Sequence, residues 1–216
     1  MKTKVILSLF DYSGDWSKPF MLAGYTVFHI DIKLGIDILQ WDYRTYLSKK
    51  YYNVVGILAA PPCTHYAGSG AQYWKAKDSD GRTAQNNLLM EKTLEIVDYY
   101  RPAFWVMENP VGRLRRMLRG EYKPGEPQIS VPDSLKDVVS DIAMSFNPYD
   151  YGDPYTKKTL LWGEFNTDLE LNRVEPIRSN KQGSWLQSLG GKSERTKELR
   201  SMTPPGFARA FFEANH

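Results

Sequence analysis

A single cysteine, Cys63, stands in a chain of 216 residues. One thiol cannot close an internal disulfide, and it cannot build a cysteine-based zinc site. The three histidines, His29, His65 and His216, are scattered, so no bound metal is expected. Long hydrophobic runs are missing as well: none approaches the ~18 residues that a membrane span needs. The chain starts with basic residues and a short apolar stretch, residues 5–10, which runs into Asp11 and Asp15 without a small-residue cleavage site. That pattern reads as a buried first strand and not as a signal peptide, and the expectation is a soluble, cytoplasmic protein with no membrane partner. An excess of one charge is also lacking. With 28 Lys+Arg against 25 Asp+Glu the net charge is only +3, which announces no nucleic-acid partner unless the charge is unevenly placed. What is present is ordinary for a globular domain: 42% hydrophobic and 25% charged residues. The length suits one domain of ~150 residues with a small appendage, and disorder as the main state is excluded.

Apolar stretches at residues 5–10, 25–30, 54–60, 104–107 and 158–163 read as strands, several of them β-branched and bounded by turn residues. Residues 19–24, 83–100 and 205–214 carry helical signals: a closing glycine, a helical apolar rhythm before Pro102, and an initial proline. Residues 120–132 are rich in proline and glycine and read as a loop. Residues 166–197 have weak periodicity. Strands alternating with helices predict an α/β fold with a mainly parallel sheet and helices on both faces. Ligands in such sheets bind beyond the carboxyl ends of the strands. Residues 11–14, Asp31, residues 61–63 and residues 108–110 are therefore expected to converge on one crevice.

Each strand end carries a possible chemistry beside a plainer alternative. Gly14 lets backbone approach a ligand after the first strand, and Asp31 after the second is placed for ribose hydroxyls; the alternative is a solvated turn, because no full glycine fingerprint is present. Cys63 follows Ala60-Pro61-Pro62, and small residues trail it. It is either an inert small apolar residue or a thiol held where a ligand can reach it. Glu108 follows the apolar strand Phe-Trp-Val-Met. Partial desolvation should raise its pKa, which suits a proton donor beside a thiol; a cap or turn is the alternative.

Taken in order, these pieces resemble the cytosine-C5 DNA methyltransferase family. Leu9–Gly14 (LFDYSG) is similar to its cofactor loop, Asp31 to its acidic strand end, and Ala60–Gly70 (APPCTHYAGSG) to its Pro-Cys nucleophile loop. Glu108-Asn109-Pro110 resembles its Glu-Asn-Val element, Tyr151–Gly163 its Tyr-Gly-x-Pro segment, and Arg200–Phe211 its late Arg-x-x-Thr segment and helix. The resemblance implies a Rossmann-like S-adenosylmethionine-dependent methyltransferase fold. It divides the chain into a catalytic core over residues 1–163, a reduced target-recognition insert over 164–199, and a segment over 200–216 that returns to the core. It implies Cys63 as a covalent nucleophile at cytosine C6 and Glu108 as the residue on the Watson–Crick edge of a flipped base. It implies S-adenosylmethionine contacts from Phe10, Asp11, Ser13, Gly14, Asp31, Ile32, Asp37, Ala60 and Pro61, and substrate contacts from Pro62, Thr64, Asn109, Arg113, Lys157 and Lys158. His65, two residues from the nucleophile, is not given the base role by the resemblance. DNA is the implied partner, and the small size points by analogy to a phage-encoded enzyme working in a host cytoplasm.

The family pattern is not met everywhere. Thr64 stands where Gln usually follows the cysteine, and Tyr155, Lys157 and Thr159 stand where Gln-x-Arg-x-Arg is usual. Lysine lacks the bidentate fork of arginine. Residues 164–200 are too few for a large second core. A single-stranded nucleic acid, a nucleotide, or a non-catalytic DNA-binding role therefore stand as alternatives. Two basic stretches could neutralise phosphates or be solvated faces. One carries Arg113, Arg115, Arg116, Arg119 and Lys123 against Glu121. The other carries Arg178, Lys181, Lys192, Arg195, Lys197, Arg200 and Arg209 against Glu194 and Glu198. Trp185 is either a base-stacking residue or a loop anchor.

Overall fold

The computed structural model describes residues 2–177 and 193–216. Six strands form one sheet: β1 (Thr3–Leu9), β2 (Thr26–Ile30), β3 (Tyr52–Ala59), β4 (Phe104–Pro110), β5 (Met144–Phe146) and β6 (Thr159–Glu164). Their order is β2-β1-β3-β4-β6-β5, and only β6 runs against the others. The strand order reverses at β1. The crevice beyond the ends of β1 and β3 is thus the topological switch point, where doubly wound sheets bind ligands.

The sheet is apolar on both faces because helices cover both. Val5, Leu7 and Leu9 of β1 join Ile57, Ala59, Trp105 and Met107 on one face. There they meet α2 (Tyr43–Tyr46), α4 (Arg82–Tyr100), α5 (Leu114–Leu118) and α6 (Lys136–Ser140). Ile6, Leu58, Phe104 and Val106 point the other way. They pack on α1 (Lys18–Leu22) through Phe20 and on the C-terminal helix α8 (Pro205–Asn215) through Phe207 and Phe211. The Phe207 ring stacks on Phe146 with centroids 3.8 Å apart. Two further short helices among the described residues are α3 (Trp74–Ser79) and α7 (Glu194–Ser201). Among the described residues, no helix is long and apolar enough to cross a membrane.

Two strand ends differ from the sequence expectation. β1 stops at Leu9, because Phe10 turns to φ 61° while its N–H still donates to the Ile30 carbonyl. A positive φ on a bulky residue is strained backbone. β4 continues through Glu108 and Asn109 to Pro110, because antiparallel β6 supplies ladder partners, Glu108 facing Leu161 and Pro110 facing Thr159. The carboxylate therefore sits within a strand, and the two-residue alternation sets its direction: Glu108 follows Val106, and Asn109 follows Met107. Strand β5 escaped the sequence reading because three residues show no period.

The chain leaves the core after β6 and comes back in α8. Its two ends meet: the Asn166 N–H donates to Asn215 Oδ1 (2.7 Å), and Asn215 Nδ2 donates to the Asn166 carbonyl (3.2 Å). The Gly206 N–H donates to Asp153 Oδ2 (2.9 Å). Residues 169–177 lie on the core: Leu169 is buried, and the Asn172 and Val174 amides donate to the Asp150 and Tyr149 carbonyls.

Candidate active site

Pro61 and Pro62 end the β3 ladder because neither has an N–H. The chain then winds into a 3-10 turn, Cys63–His65. Every carbonyl around this turn is held. Asn109 Nδ2 donates to Pro61 O (3.1 Å), Asn86 Nδ2 to Pro62 O (3.3 Å), Lys77 Nζ to Thr64 O (2.7 Å) and Arg113 Nε to His65 O (2.8 Å). The Arg113 amide takes Tyr66 O (3.0 Å), and the Gly68 amide takes Val111 O (2.9 Å). An isolated bridge pairs Ala67 with Gly112. Gly112 permits this approach, since a Cβ there would stand 1.9 Å from the Tyr66 carbonyl oxygen. The Cys63 turn and the end of β4 are thereby joined.

Cys63, Glu108 and Lys157 share one electrostatic neighbourhood. Burial raises the Cys63 thiol pKa, the Glu108 carboxylate raises it further, and Lys157 opposes both. Burial also raises the pKa of Glu108, again against Lys157. Glu108 and Lys157 line one small pocket with Trp16, Phe146, Thr159, Thr203, Pro204 and Phe207. Lys158 points the other way, into a groove of about 550 Å³ that it lines with Arg115, Val111 and Met144. Pro62 and Thr64 are exposed beside Cys63. His65 is held below the usual histidine range by burial and by Lys77, Arg113 and Arg82; its Nδ1 lies 3.3 Å from Thr83 Oγ1.

The residues implied for the cofactor lie in the segments that follow β1, β2 and β3. Tyr12 and Ile32 stand exposed (49% and 69%) at the ends of β1 and β2. Asp31 Oδ1 accepts from the Lys33 amide (2.8 Å), and Asp37 Oδ1 accepts from the Leu39 amide (2.9 Å). Ala60 N–H donates to Leu9 O, which ties the first turn to the Pro-Cys segment. Gly14 turns at φ 73°, and Ser13 is exposed beside it. Asp11 differs in direction. Its carboxylate is turned inward, where Oδ2 accepts from Ser8 Oγ (2.8 Å) and Ser17 Oγ (2.9 Å), and Ser17 Oγ lies 2.8 Å from His29 Nε2. Asp11 braces the turn and leaves only backbone to face a ligand. Two atoms that the sequence reading missed lie in the same turn: Asp15 Oδ2 and Trp16 Nε1 are buried without a partner in the structure. Buried polar groups are almost always paired, so an acceptor and a donor here suit a ligand carrying an ammonium and a carboxylate. No motif marked them; only the three-dimensional accounting does.

One expected substrate contact is corrected. Arg113 does not face a substrate. Its side chain is 1% exposed and forms a bidentate pair with Asp78 (2.7 Å for both bonds), with Glu126 and Thr83 also in reach. Arg116 pairs with Glu126, and Arg119 with Asp141. Hydrogen bonding from Arg116 holds the Glu126 carboxyl down to about 2. The first basic stretch is thus largely neutralised inside the fold, and its arginines cannot all serve phosphates. In the second stretch, Arg178, Lys181 and Lys192 lie outside the described residues, as do Trp185 and the side chains of Arg195 and Lys197. Among the described residues no group of three or more His, Cys, Asp and Glu could hold a metal ion.

No family model matches the chain. It is similar to a probable DNA (cytosine-5)-methyltransferase of Frog virus 3 (isolate Goorha), 29% identical over 93% of this chain and 94% of the viral protein. It is also similar to the type II methyltransferase M.DdeI of Desulfomicrobium norvegicum, 24% identical over 78% of this chain but only 42% of that enzyme. Among solved structures, a DNA modification methyltransferase encoded within an E. coli prophage superposes with a TM-score of 0.53 at 15% identity, over 88% of this chain and 55% of that one. That last likeness speaks for the fold alone.

Proposed function

We infer that this chain is a compact member of the cytosine-C5 DNA methyltransferase family and transfers a methyl group from S-adenosylmethionine to C5 of cytosine. The observation that carries the reading is the convergence of Cys63, Glu108 and Lys157 at two joined strand ends, beside the topological switch point of the sheet. A relative aligned over nearly the whole chain bears that activity in its name.

The chain's own residues supply the rest of the chemistry. Cytosine C5 is a poor nucleophile. The Cys63 thiolate forms a bond to C6, and the C5=C6 electron pair moves toward C5 as charge spreads to N3. Glu108, kept protonatable by burial, donates to N3 and stabilises that charge. When bound, S-adenosylmethionine supplies an electrophilic methyl group, which C5 takes as S-adenosylhomocysteine forms. The C5 proton is then lost to solvent or a bound base, the double bond re-forms, and Cys63 leaves as thiolate. Lys157 lowers the thiol pKa and faces the base pocket. Asp31, Ile32, Asp37, Ala60, Pro61 and the turn 10–16 would hold the cofactor, with Trp16 Nε1 and Asp15 Oδ2 meeting its polar end. Pro62, Thr64 and Asn109 border the base, Asn109 through its hold on Pro61. Lys158 and Arg115 take flanking phosphate.

Trapping on DNA containing 5-fluorocytosine tests the reading. Its C5 carries fluorine that cannot leave as a proton, so the adduct through Cys63 persists. Wild-type protein should form it, and Cys63→Ser should form none while keeping its circular dichroism. No adduct with wild type, or methylation undiminished in the serine variant, overturns the mechanism. Single-stranded DNA or a nucleotide as acceptor is a second reading, favoured by the internal pairing of Arg113, Arg116 and Arg119. Tritiated methyl incorporation into duplex, single strand and dCMP separates the two.

A further inference from the structure

We propose that Arg113 is a positioning residue, a latch that holds the Cys63 turn against the strand end bearing Glu108. Arg113 lies five positions beyond Glu108 on the same chain segment, yet its bonds go to the nucleophile segment. Its Nε donates to His65 O (2.8 Å), and its own amide donates to Tyr66 O (3.0 Å). Its two terminal nitrogens take both oxygens of Asp78 on α3, which closes the segment that began at Cys63. One planar fork thus fixes the start and the finish of residues 63–81 together. Nothing in the pair is spare: Arg113 is 1% and Asp78 9% exposed, and the guanidinium lies 4.8 Å from the Trp74 ring centre.

A buried ion pair of this kind is weak evidence for stability, because two charges lose their hydration. Its worth lies in geometry. A thiol must reach C6 within about half an ångström of its productive place, and a misplacement of ~1 Å can slow a reaction ~100-fold. Lysine cannot replace the latch: it offers a point charge, without the fork that spans His65 O and both Asp78 oxygens. Glu126 Oε1 lies 3.3 Å from the same guanidinium, so removing the Asp78 charge does not strand Arg113.

The kinetic half of the test rests on the methyl-transfer reading, and the exchange half does not. Arg113→Lys and Asp78→Asn should each slow trapping on 5-fluorocytosine DNA by about 100-fold. KM for DNA and the affinity for S-adenosylhomocysteine should stay within about twofold. In hydrogen exchange, the Gly68 amide should be protected in wild type. Asp78→Asn should lose protection over residues 63–81 while β1 and β3 keep theirs. Trapping at the wild-type rate in both variants, or a fall explained by the unfolded fraction, overturns the proposal. So does a Gly68 amide that exchanges freely in wild type, a measurement that needs no variant to fold. Should wild type itself form no adduct, the methyl-transfer reading fails, and the exchange pattern alone then supports or overturns the latch.

Discussion

Cys63 and Glu108 hinder each other as neighbours. Each is raised by burial, and the charge on Glu108 raises the thiol further. In the proposed mechanism the thiol loses a proton to attack, whereas the carboxyl keeps one to donate. Replacing Glu108 by Gln removes the repelling charge and keeps the shape. The Cys63 pKa should then fall, so its alkylation by iodoacetamide sets in at lower pH than in wild type, while methyl transfer drops ~100-fold or more for want of the N3 donor. An alkylation profile unmoved by Glu108→Gln would remove the carboxylate from the thiol's surroundings. At this scale the sequence pointed to Cys63 and Glu108 as the proposed pair, because a cysteine after two prolines and a glutamate after an apolar run are local signals. It misled on Arg113: a basic residue in a basic run reads as a phosphate contact, and only its partners, Asp78 and Glu126, separated from it in sequence and brought to it by the fold, show it turned inward.

Elements explain why the pair meets at all. β3 and β4 are adjacent and parallel, with Ala59 beside Met107, so the segments leaving the two strands emerge at one edge. That much was legible from alternating strands and helices. The joint that brings the ends into contact was not, because it depends on backbone passing backbone at Gly112. A methyl group there would stand 1.9 Å from Tyr66 O and 2.9 Å from the Gly68 nitrogen. Gly112→Ala should therefore part the two strand ends. Relief of that clash is expected to destabilise the fold by about 1–3 kcal/mol, and trapping should slow by more than the melting shift explains. A normal trapping rate would show that the joint has slack. Short pieces such as β5 and the 3-10 turn at Cys63 escaped the sequence reading for a related reason: they are too brief to show a period and are fixed by neighbours.

The whole molecule decides how charge reaches a nucleic acid. Within the net charge of +3, Arg113, Arg116 and Arg119 are paired with carboxylates and so are drawn away from a partner. Arg115 and Lys158 line the same groove and have no partner among the described residues. Removing one cation that meets a phosphate should flatten the salt dependence of DNA binding by about 0.9 in log–log slope. Arg115→Ala should show that change at unaltered melting temperature. Arg116→Ala should leave the slope alone and lower the melting temperature, because it frees Glu126. Equal slopes in both variants would mean that the groove is not on the path of the DNA.

The clasp between Asn166 and Asn215 makes the stretch between them a bay with a fixed mouth. The stretch so bracketed includes residues 169–177, where Leu169 is buried, and α8, whose Phe207 and Phe211 pack on the sheet, so both of its flanks are built into the core. Lengthening such an excursion costs little, about 0.6 kcal/mol per doubling of a flexible loop. A change of length between residues 177 and 193 is therefore expected to leave the sheet and α8 in place, anchored as both flanks are.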